Sequence, residues 1–285
     1  MVRALVLRGA AVGAFGGLLA YVFAWVFAEP AIQASIDYEA GRSEAEAALA
    51  AAAGEMPGAD DPELFSRAIQ GNVGLGVGMI LFGAAVGLFF AVAFCMAYGR
   101  TGSLRPRPLA LLVALAGFLT LFLVPFVKYP ANPPAVGDHD TIRDRAALWL
   151  LMVVASVVCA VAATWLGQRL QPRYGTWNAT LLACAAFVVV IGALMAVLPA
   201  LGELSMHAAH NGGALTETPQ PLRDPAGTIV YPGFDADVLW RFRVASIGAQ
   251  AILWTAIGLA FAPLAERVFR THGAPSQQEV TAART

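Results

Sequence analysis

The sequence predicts an all-α fold, a polytopic integral membrane helix bundle with about six transmembrane helices. Of its 285 residues, 58% are hydrophobic and only 13% are charged, about half the charged fraction of a soluble domain. It also contains six long apolar runs, and a bilayer core about 30 Å thick needs about 20 helical residues to cross it. Because only a helix or a closed barrel satisfies its backbone hydrogen bonds in lipid, each run is interpreted as a spanning helix.

The six runs define a single membrane domain, residues 1–285. Glycines recur four residues apart in the first two runs, as at Gly9, Gly13 and Gly17, and this spacing allows close helix packing. The first run is interpreted as a retained span, because its apolar core is longer than that of a signal peptide and "VFAEP" is a poor cleavage site. The predicted spans are about 4–28, 72–98, 108–127, 146–167, 178–201 and 244–265.

The charges between the runs orient the chain. With a cytoplasmic amino terminus, the inner segments hold ten bases and two acids, whereas the outer segments hold eight bases and seventeen acids. Cytoplasmic loops are enriched in Arg and Lys, so both termini are predicted to be cytoplasmic in a bacterial inner membrane. The net charge of −1 makes nucleic acid an unexpected partner. The predicted outer loops are 29–71, 128–145 and 202–243, and the cytoplasmic tail is 266–285.

The first and second outer loops have distinct compositions. The first contains nine acids and an alanine-rich stretch, "RSEAEAALAAAAGEM", that predicts a short surface helix. Its acids either create a negative potential that concentrates cations or simply solvate an exposed loop. The prolines of "KYPANPP" in the second loop predict an extended return into the next span.

The third outer loop opens with the strongest candidate for a metal site. In "GELSMHAAHNG", Glu203, His207 and His210 share neighbouring helical positions. Two imidazoles and a carboxylate suit divalent Co, Ni or Zn, with water completing the coordination shell. The alternative is a solvated helix end, because Pro199 and Gly202 favour ending the helix before the histidines.

A second candidate lies in "GDHDTIRD" of the second outer loop. Asp138 and His139 offer oxygen and nitrogen ligands on the side of the membrane predicted for the histidines. Neighbouring side chains of an extended segment point alternately, so these residues need ligands from elsewhere to complete a site. The alternative is that Asp140 or Thr141 caps the following helix.

Other chemistry is not visible in the sequence. The spans lack the internal charges typical of pumps, and no Walker loop is present. The three cysteines are widely spaced within apolar runs and are interpreted as small buried hydrophobic residues. Mild polar residues inside the spans, such as Ser156 and Gln250, are typical of hydrogen bonds between packed helices.

The chain resembles the CbtA family of predicted cobalt transporter subunits. The resemblance runs through "RALVLRGAAVGAFGGLLAYVFAWVFAEPAIQASIDYEA", "ELFSRAIQGNVGLGVGMILFGAAVGLFFA", "LVPFVKYPANPPAVGD" and "LWRFRVASIGAQAILW". It implies cobalt import linked to cobalamin biosynthesis, with a small single-span partner, CbtB, that carries histidines. Family members commonly have five spans, and many carry histidines in the first outer loop, where this chain has none.

Together these observations predict a membrane subunit that assists uptake of a divalent transition-metal ion, with cobalt the expected ion. The expected ligands are Glu203, His207 and His210 with Asp138 and His139, and no catalytic residue or resident cofactor is expected. Two alternatives stay open: an accessory subunit without transport activity, and a membrane enzyme acting on a lipid-linked substrate. The sequence leaves homo-oligomerisation open.

Overall fold

The computed structural model of the chain describes residues 1–54, 69–101, 104–137, 141–201 and 216–273. Most of these residues are helical. A π-helical turn, Gln70–Gly74, precedes the third helix, and Phe118–Leu123 is π-helical within the fourth. The elements are α1 (Val2–Phe27), α2 (Glu29–Ala52), α3 (Leu75–Ala97), α4 (Pro106–Lys128), α5 (Ile142–Val197), β1 (Leu222–Arg223), β2 (Ile229–Tyr231) and α6 (Ala236–Gly273).

Five helices of the described ranges, α1, α3, α4, α5 and α6, are long and apolar enough to cross a membrane. This confirms the prediction of an all-α polytopic membrane protein. Helix α6 begins at Ala236, before the predicted start near 244, because the Asp235 side chain accepts a hydrogen bond from the Asp237 N–H and caps the first turn. The stretch predicted as a short surface helix, "RSEAEAALAAAAGEM", is helical as far as Ala52 and forms the second half of α2, which starts directly after α1.

The chain is divided into two compact units. Unit 1 contains Met1–Trp25, Phe65–Phe118 and Gly248–Thr285. Its core is built around Phe261, whose ring packs edge-on against Phe90 and Phe94 at centroid distances of 5.0 and 5.2 Å. The aliphatic side chains of Leu5 and Ile257 are buried in the same cluster. This core ties α1, α3 and α6 together within unit 1.

Glycines bring α1 and α3 into backbone contact inside unit 1. A Cβ atom at Gly13 would collide with the Gly83 carbonyl oxygen, and one at Gly87 would collide with the Gly9 carbonyl oxygen. Without side chains at these positions the two backbones touch, which confirms the close approach predicted from the four-residue spacing.

Unit 2 contains Val26–Leu64 and Leu119–Ile247, and α5 folds within it as a hairpin. Gly175 has φ 74° and ψ 167°, a conformation that essentially only glycine adopts. A Cβ at Gly167 would lie 3.4 Å from the Ala183 Cβ, whereas sixteen residues of straight helix span about 24 Å. The two arms, 142–174 and 176–197, therefore pack against each other, and each exceeds the ~20 residues that a bilayer crossing requires.

The π-helical segment of α4 is joined to α5 by a buried hydroxyl. In a π-helical ladder the Thr120 carbonyl pairs with residue 125, but Pro125 has no N–H to donate. The fully buried Ser156 hydroxyl donates to the Thr120 carbonyl instead. Ser156 thus serves helix packing, as predicted for the mild polar groups of the spans.

Helix α2 packs on the β-hairpin of unit 2. The Tyr38 ring lies 5.3 Å from the Tyr231 ring and 5.0 Å from the Phe234 ring, centroid to centroid. The Tyr38 hydroxyl donates to the Pro232 carbonyl, and the Tyr231 hydroxyl donates to the Tyr38 carbonyl. The predicted first outer loop is therefore anchored through α2 to the segment that follows the histidines in sequence.

Candidate functional site

All five predicted metal ligands lie outside the described residues. Asp138 and His139 belong to segment 138–140, and Glu203, His207 and His210 belong to segment 202–215. The structure describes the residues on both sides of these two segments. We call the flanking residues the loop junction: Lys128–Gly137, Leu198–Leu201 and Thr216–Thr218.

The end of α4 is attached to the chain that leads into segment 202–215. The Lys128 ammonium donates to the Leu198 carbonyl at 2.8 Å, and the Tyr129 hydroxyl donates to the Pro199 carbonyl at 3.0 Å. The Tyr129 ring is buried with Met152 and Leu201. Burial raises the pKa of the Tyr129 phenol, which keeps this donor protonated.

Glu217 connects the two segments directly. Its carbonyl oxygen accepts a hydrogen bond from the Gly137 N–H at 3.2 Å, so the residue before segment 138–140 touches the second residue after segment 202–215. Its carboxylate accepts a hydrogen bond from the Asn132 amide at 2.9 Å and pairs with the Arg145 guanidinium at 3.2 Å. Gly137 is required here, because φ is 102° and a Cβ would collide with Arg145.

The start of α6 joins the same network through Arg243. Its guanidinium donates to the Asn132 side-chain oxygen at 2.7 Å and, more weakly, to the Ala131 carbonyl at 3.4 Å. Asn132 therefore donates to Glu217 and accepts from Arg243, which fixes its amide orientation. Asn132 of the predicted second outer loop is therefore connected to α6 through Arg243 and, by way of Glu217, to Arg145 of α5.

An open cavity of about 240 Å³ lies at the loop junction. Lys128, Glu217 and Arg243 line it together with the hydroxyl-bearing Thr216 and Thr218. Arg145 does not line the cavity but pairs with Glu217. The charged groups described around the cavity are therefore three cations, Lys128, Arg145 and Arg243, and one carboxylate, Glu217. These side chains by themselves repel a divalent cation, so capture there needs further carboxylates.

The described residues contain no group of three or more His, Cys, Asp or Glu side chains placed to hold a metal ion. The Glu217 carboxylate is already committed to Arg145 and Asn132. Thr141 stands at the N-cap position of α5, but its side chain makes no capping hydrogen bond, so capping by Thr141 is not how the helix begins. Asp140, the other predicted cap, lies outside the described residues.

The described part of the predicted first outer loop carries several exposed acids. Helix α2 displays Asp37, Glu39, Glu44 and Glu46 at its surface. Only Arg42 offsets them on the helix, and it pairs with Glu46 while donating to the Gln220 carbonyl. Such an arrangement favours cations near this surface without any defined coordination geometry.

Sequence reasoning did not identify Glu217, Asn132 or Arg145 as parts of one network. They lie far apart in the chain, and each sits in a short polar stretch that resembles an ordinary loop. Lys128 is the only lysine in the sequence and lies at the edge of a predicted span, where no sequence pattern indicates a role for it. Only the tertiary contacts bring these residues to the ends of the two histidine-bearing segments.

Comparison with known proteins identifies one family. The family model described as "Probable cobalt transporter subunit (CbtA)" matches residues 2–266. No protein with a curated description and no solved structure matches the chain.

Proposed function

The chain belongs to the CbtA family, and from this premise we propose that it assists uptake of a divalent transition-metal ion, with cobalt as the ion. Family membership makes it a subunit of a transporter. The finer proposal has three steps: concentration of the ion by outer acids, capture by the two histidine-bearing segments, and passage inward among the helices.

The first step relies on the exposed acids of α2. Their summed potential raises the local concentration of cations, and this effect needs no specific geometry. Because α2 packs on the β-hairpin, these acids belong to the same unit as the loop junction. Surface charges act over about 8 Å at physiological ionic strength, so this step weakens as salt increases.

The second step is capture by Glu203, His207 and His210, with Asp138 and His139. The observation that supports it is the hydrogen bond between Gly137 and Glu217, two residues that flank the two segments. The hydrogen bonds from Lys128 and Tyr129 to the Leu198 and Pro199 carbonyls also support it, because they hold the chain that leads into segment 202–215. Because the surrounding described groups are mostly cationic, carboxylates as well as imidazoles are needed to offset the charge of the ion.

The third step uses the membrane potential. A divalent ion gains about twice 2.3 kcal/mol for each 100 mV, which supplies a driving force without a motor domain. The proposal treats the protein as a transporter subunit and not as an enzyme. It also includes a small single-span partner that carries histidines, as expected of a subunit that works with others.

We also propose six crossings, with both termini in the cytoplasm of a bacterial inner membrane. The reversal of α5 at Gly175 supports two crossings by this one helix. The turn carries Arg169 and Arg173, as expected of a cytoplasmic loop. Reporter fusions at residue 173 and in the β-hairpin should report opposite sides of the membrane, and the same side at both points would reject this topology.

Uptake of metal into proteoliposomes tests the capture step. With the purified protein, a His207→Ala/His210→Ala double variant should reduce Co²⁺ uptake at limiting metal at least 10-fold, because losing even a residue that supports a metal ligand weakens binding about 10- to 100-fold and this variant removes two proposed ligands. His272→Ala is the matched control, since it removes an imidazole from the predicted cytoplasmic tail, and it should leave uptake unchanged.

The outcomes of this experiment separate the alternatives. Uptake by the double variant equal to that of the unmodified protein would reject the histidine site while keeping transport. No uptake by the unmodified protein alone, restored by a partner subunit, would favour the accessory role instead.

A further inference from the structure

Unit 1 carries an excess of exposed arginines at the ends of its helices. The only acid among its described residues is Glu266, whereas six arginines are exposed. We call these six side chains the arginine face: Arg3, Arg100, Arg105, Arg107, Arg267 and Arg270.

Contacts within unit 1 bring these helix ends together. Arg107 at the start of α4 and Arg270 near the end of α6 both pair with Glu266. The Tyr98 ring, just after α3, stacks on Phe269 of α6 at a centroid distance of 4.2 Å. Leu5, near the start of α1, is buried in the same core as Val268. The arginines therefore surround one end of a four-helix assembly instead of being scattered along the unit.

The charge balance of this end favours an anion. Glu266 is shared between two arginines, and both of them remain largely exposed, Arg107 by 59% and Arg270 by 73% of the side chain. Arg3 and Arg105 are exposed and lie at helix starts, where the backbone also favours negative charge. Guanidinium groups bind phosphate through paired hydrogen bonds, so phosphate is the anion that suits this face.

The position of the arginine face at the ends of membrane-spanning helices favours the phosphate of a lipid headgroup over a soluble phosphate. Exposed apolar side chains lie four residues from Arg3 and Arg100 and next to Arg105: Leu7, Met96 and Leu104. An anionic phospholipid presents a phosphate at this depth and acyl chains next to it, whereas a soluble phosphate offers nothing for the apolar side chains.

We propose that the arginine face binds the headgroups of anionic phospholipids, such as phosphatidylglycerol. This function is independent of metal capture, which involves residues of unit 2. Basic clusters at the cytoplasmic ends of helices also orient membrane proteins during insertion, but orientation alone requires no bound lipid once the protein is in place.

The test measures lipid affinity of the purified full-length protein in detergent, with titrated phosphatidylglycerol or phosphatidylcholine and native mass spectrometry as the readout. An arginine near an anionic surface contributes about fivefold in affinity, so Arg3→Gln/Arg105→Gln should weaken phosphatidylglycerol binding ~25-fold. This double variant leaves the Glu266 ion pairs intact. Arg143→Gln, an exposed arginine on α5 in unit 2, is the matched control and should change nothing.

Three results would overturn the proposal. The first is equal affinity of the unmodified protein for phosphatidylcholine and phosphatidylglycerol. The second is phosphatidylglycerol affinity of the double variant equal to that of the Arg143→Gln control, which would leave the arginines a role in orientation only. The third is displacement of the lipid by equimolar inorganic phosphate, which would identify a soluble anion as the ligand. A cooperative thermal transition of the double variant, unchanged from that of the unmodified protein, verifies that it is folded.

Discussion

At the scale of single residues, Glu217 holds the loop junction together. Its carboxylate is 11% exposed and pairs with Arg145, whose side chain is 23% exposed, while Asn132 donates to its second oxygen. Partly buried charge-assisted contacts of this kind contribute more than surface pairs, because removing one partner leaves the other poorly solvated. The proposed metal ligands belong to segments 138–140 and 202–215, and the Gly137–Glu217 hydrogen bond joins residues that flank these two segments.

Replacing Glu217 by Gln should lower the free energy of unfolding by about 1–3 kcal/mol, because Arg145 loses its counter-charge in a partly buried position. Glu46→Gln is the matched control: its carboxylate is 51% exposed and pairs with Arg42 four residues away, so about 0.5 kcal/mol or less is expected. Denaturant unfolding in detergent, followed by tryptophan fluorescence, measures both. Equal losses in the two variants would contradict the role given to Glu217.

At the scale of elements, glycines decide how the helices meet and turn. Gly83 and Gly13 allow α1 and α3 to touch, and Gly175 lets α5 reverse direction. The two cases differ physically. At Gly13 and Gly83 the space that a Cβ would need is occupied by the backbone of the other helix. A Cβ added at Gly175 would meet no atom within 4 Å, so there the backbone angles alone require glycine.

Substituting Gly83 by Ala should destabilise the protein by about 1–3 kcal/mol, because the new methyl group would collide with the Gly13 carbonyl and force the helices apart. Gly78→Ala, on the same helix with no atom within 4 Å, should change stability little. Thermal unfolding in identical detergent compares them. A Gly78→Ala loss as large as that of Gly83→Ala would mean that the close approach is not what matters.

A Gly175→Ala variant should also lose about 1–3 kcal/mol, here because alanine is strained at φ 74° and ψ 167°. Gly192 is the control within α5, since it is helical and has open space around it, so alanine there should be neutral or stabilising by up to about 1 kcal/mol. The same thermal unfolding assay applies. If Gly175→Ala were as stable as Gly192→Ala, the turn would not depend on glycine.

At the scale of the whole molecule, the described residues of the two units differ in charge. The described residues of unit 1 carry the arginine face, while unit 2 carries the acids of α2 and the loop junction. The proposed lipid contact and the proposed metal capture therefore draw on different residues. Each proposal consequently has its own test, and failure of one leaves the other standing.

The sequence by itself determined the membrane class, the long apolar helices and the small-residue contacts, because hydropathy and glycine spacing act locally along the chain. It also identified the family, which the match over residues 2–266 confirms. Only the tertiary structure decided that Gly137 touches Glu217 and that Ser156 satisfies the Thr120 carbonyl. These contacts join residues 36 to 80 positions apart, and no local pattern encodes which distant polar groups will meet when the helices pack.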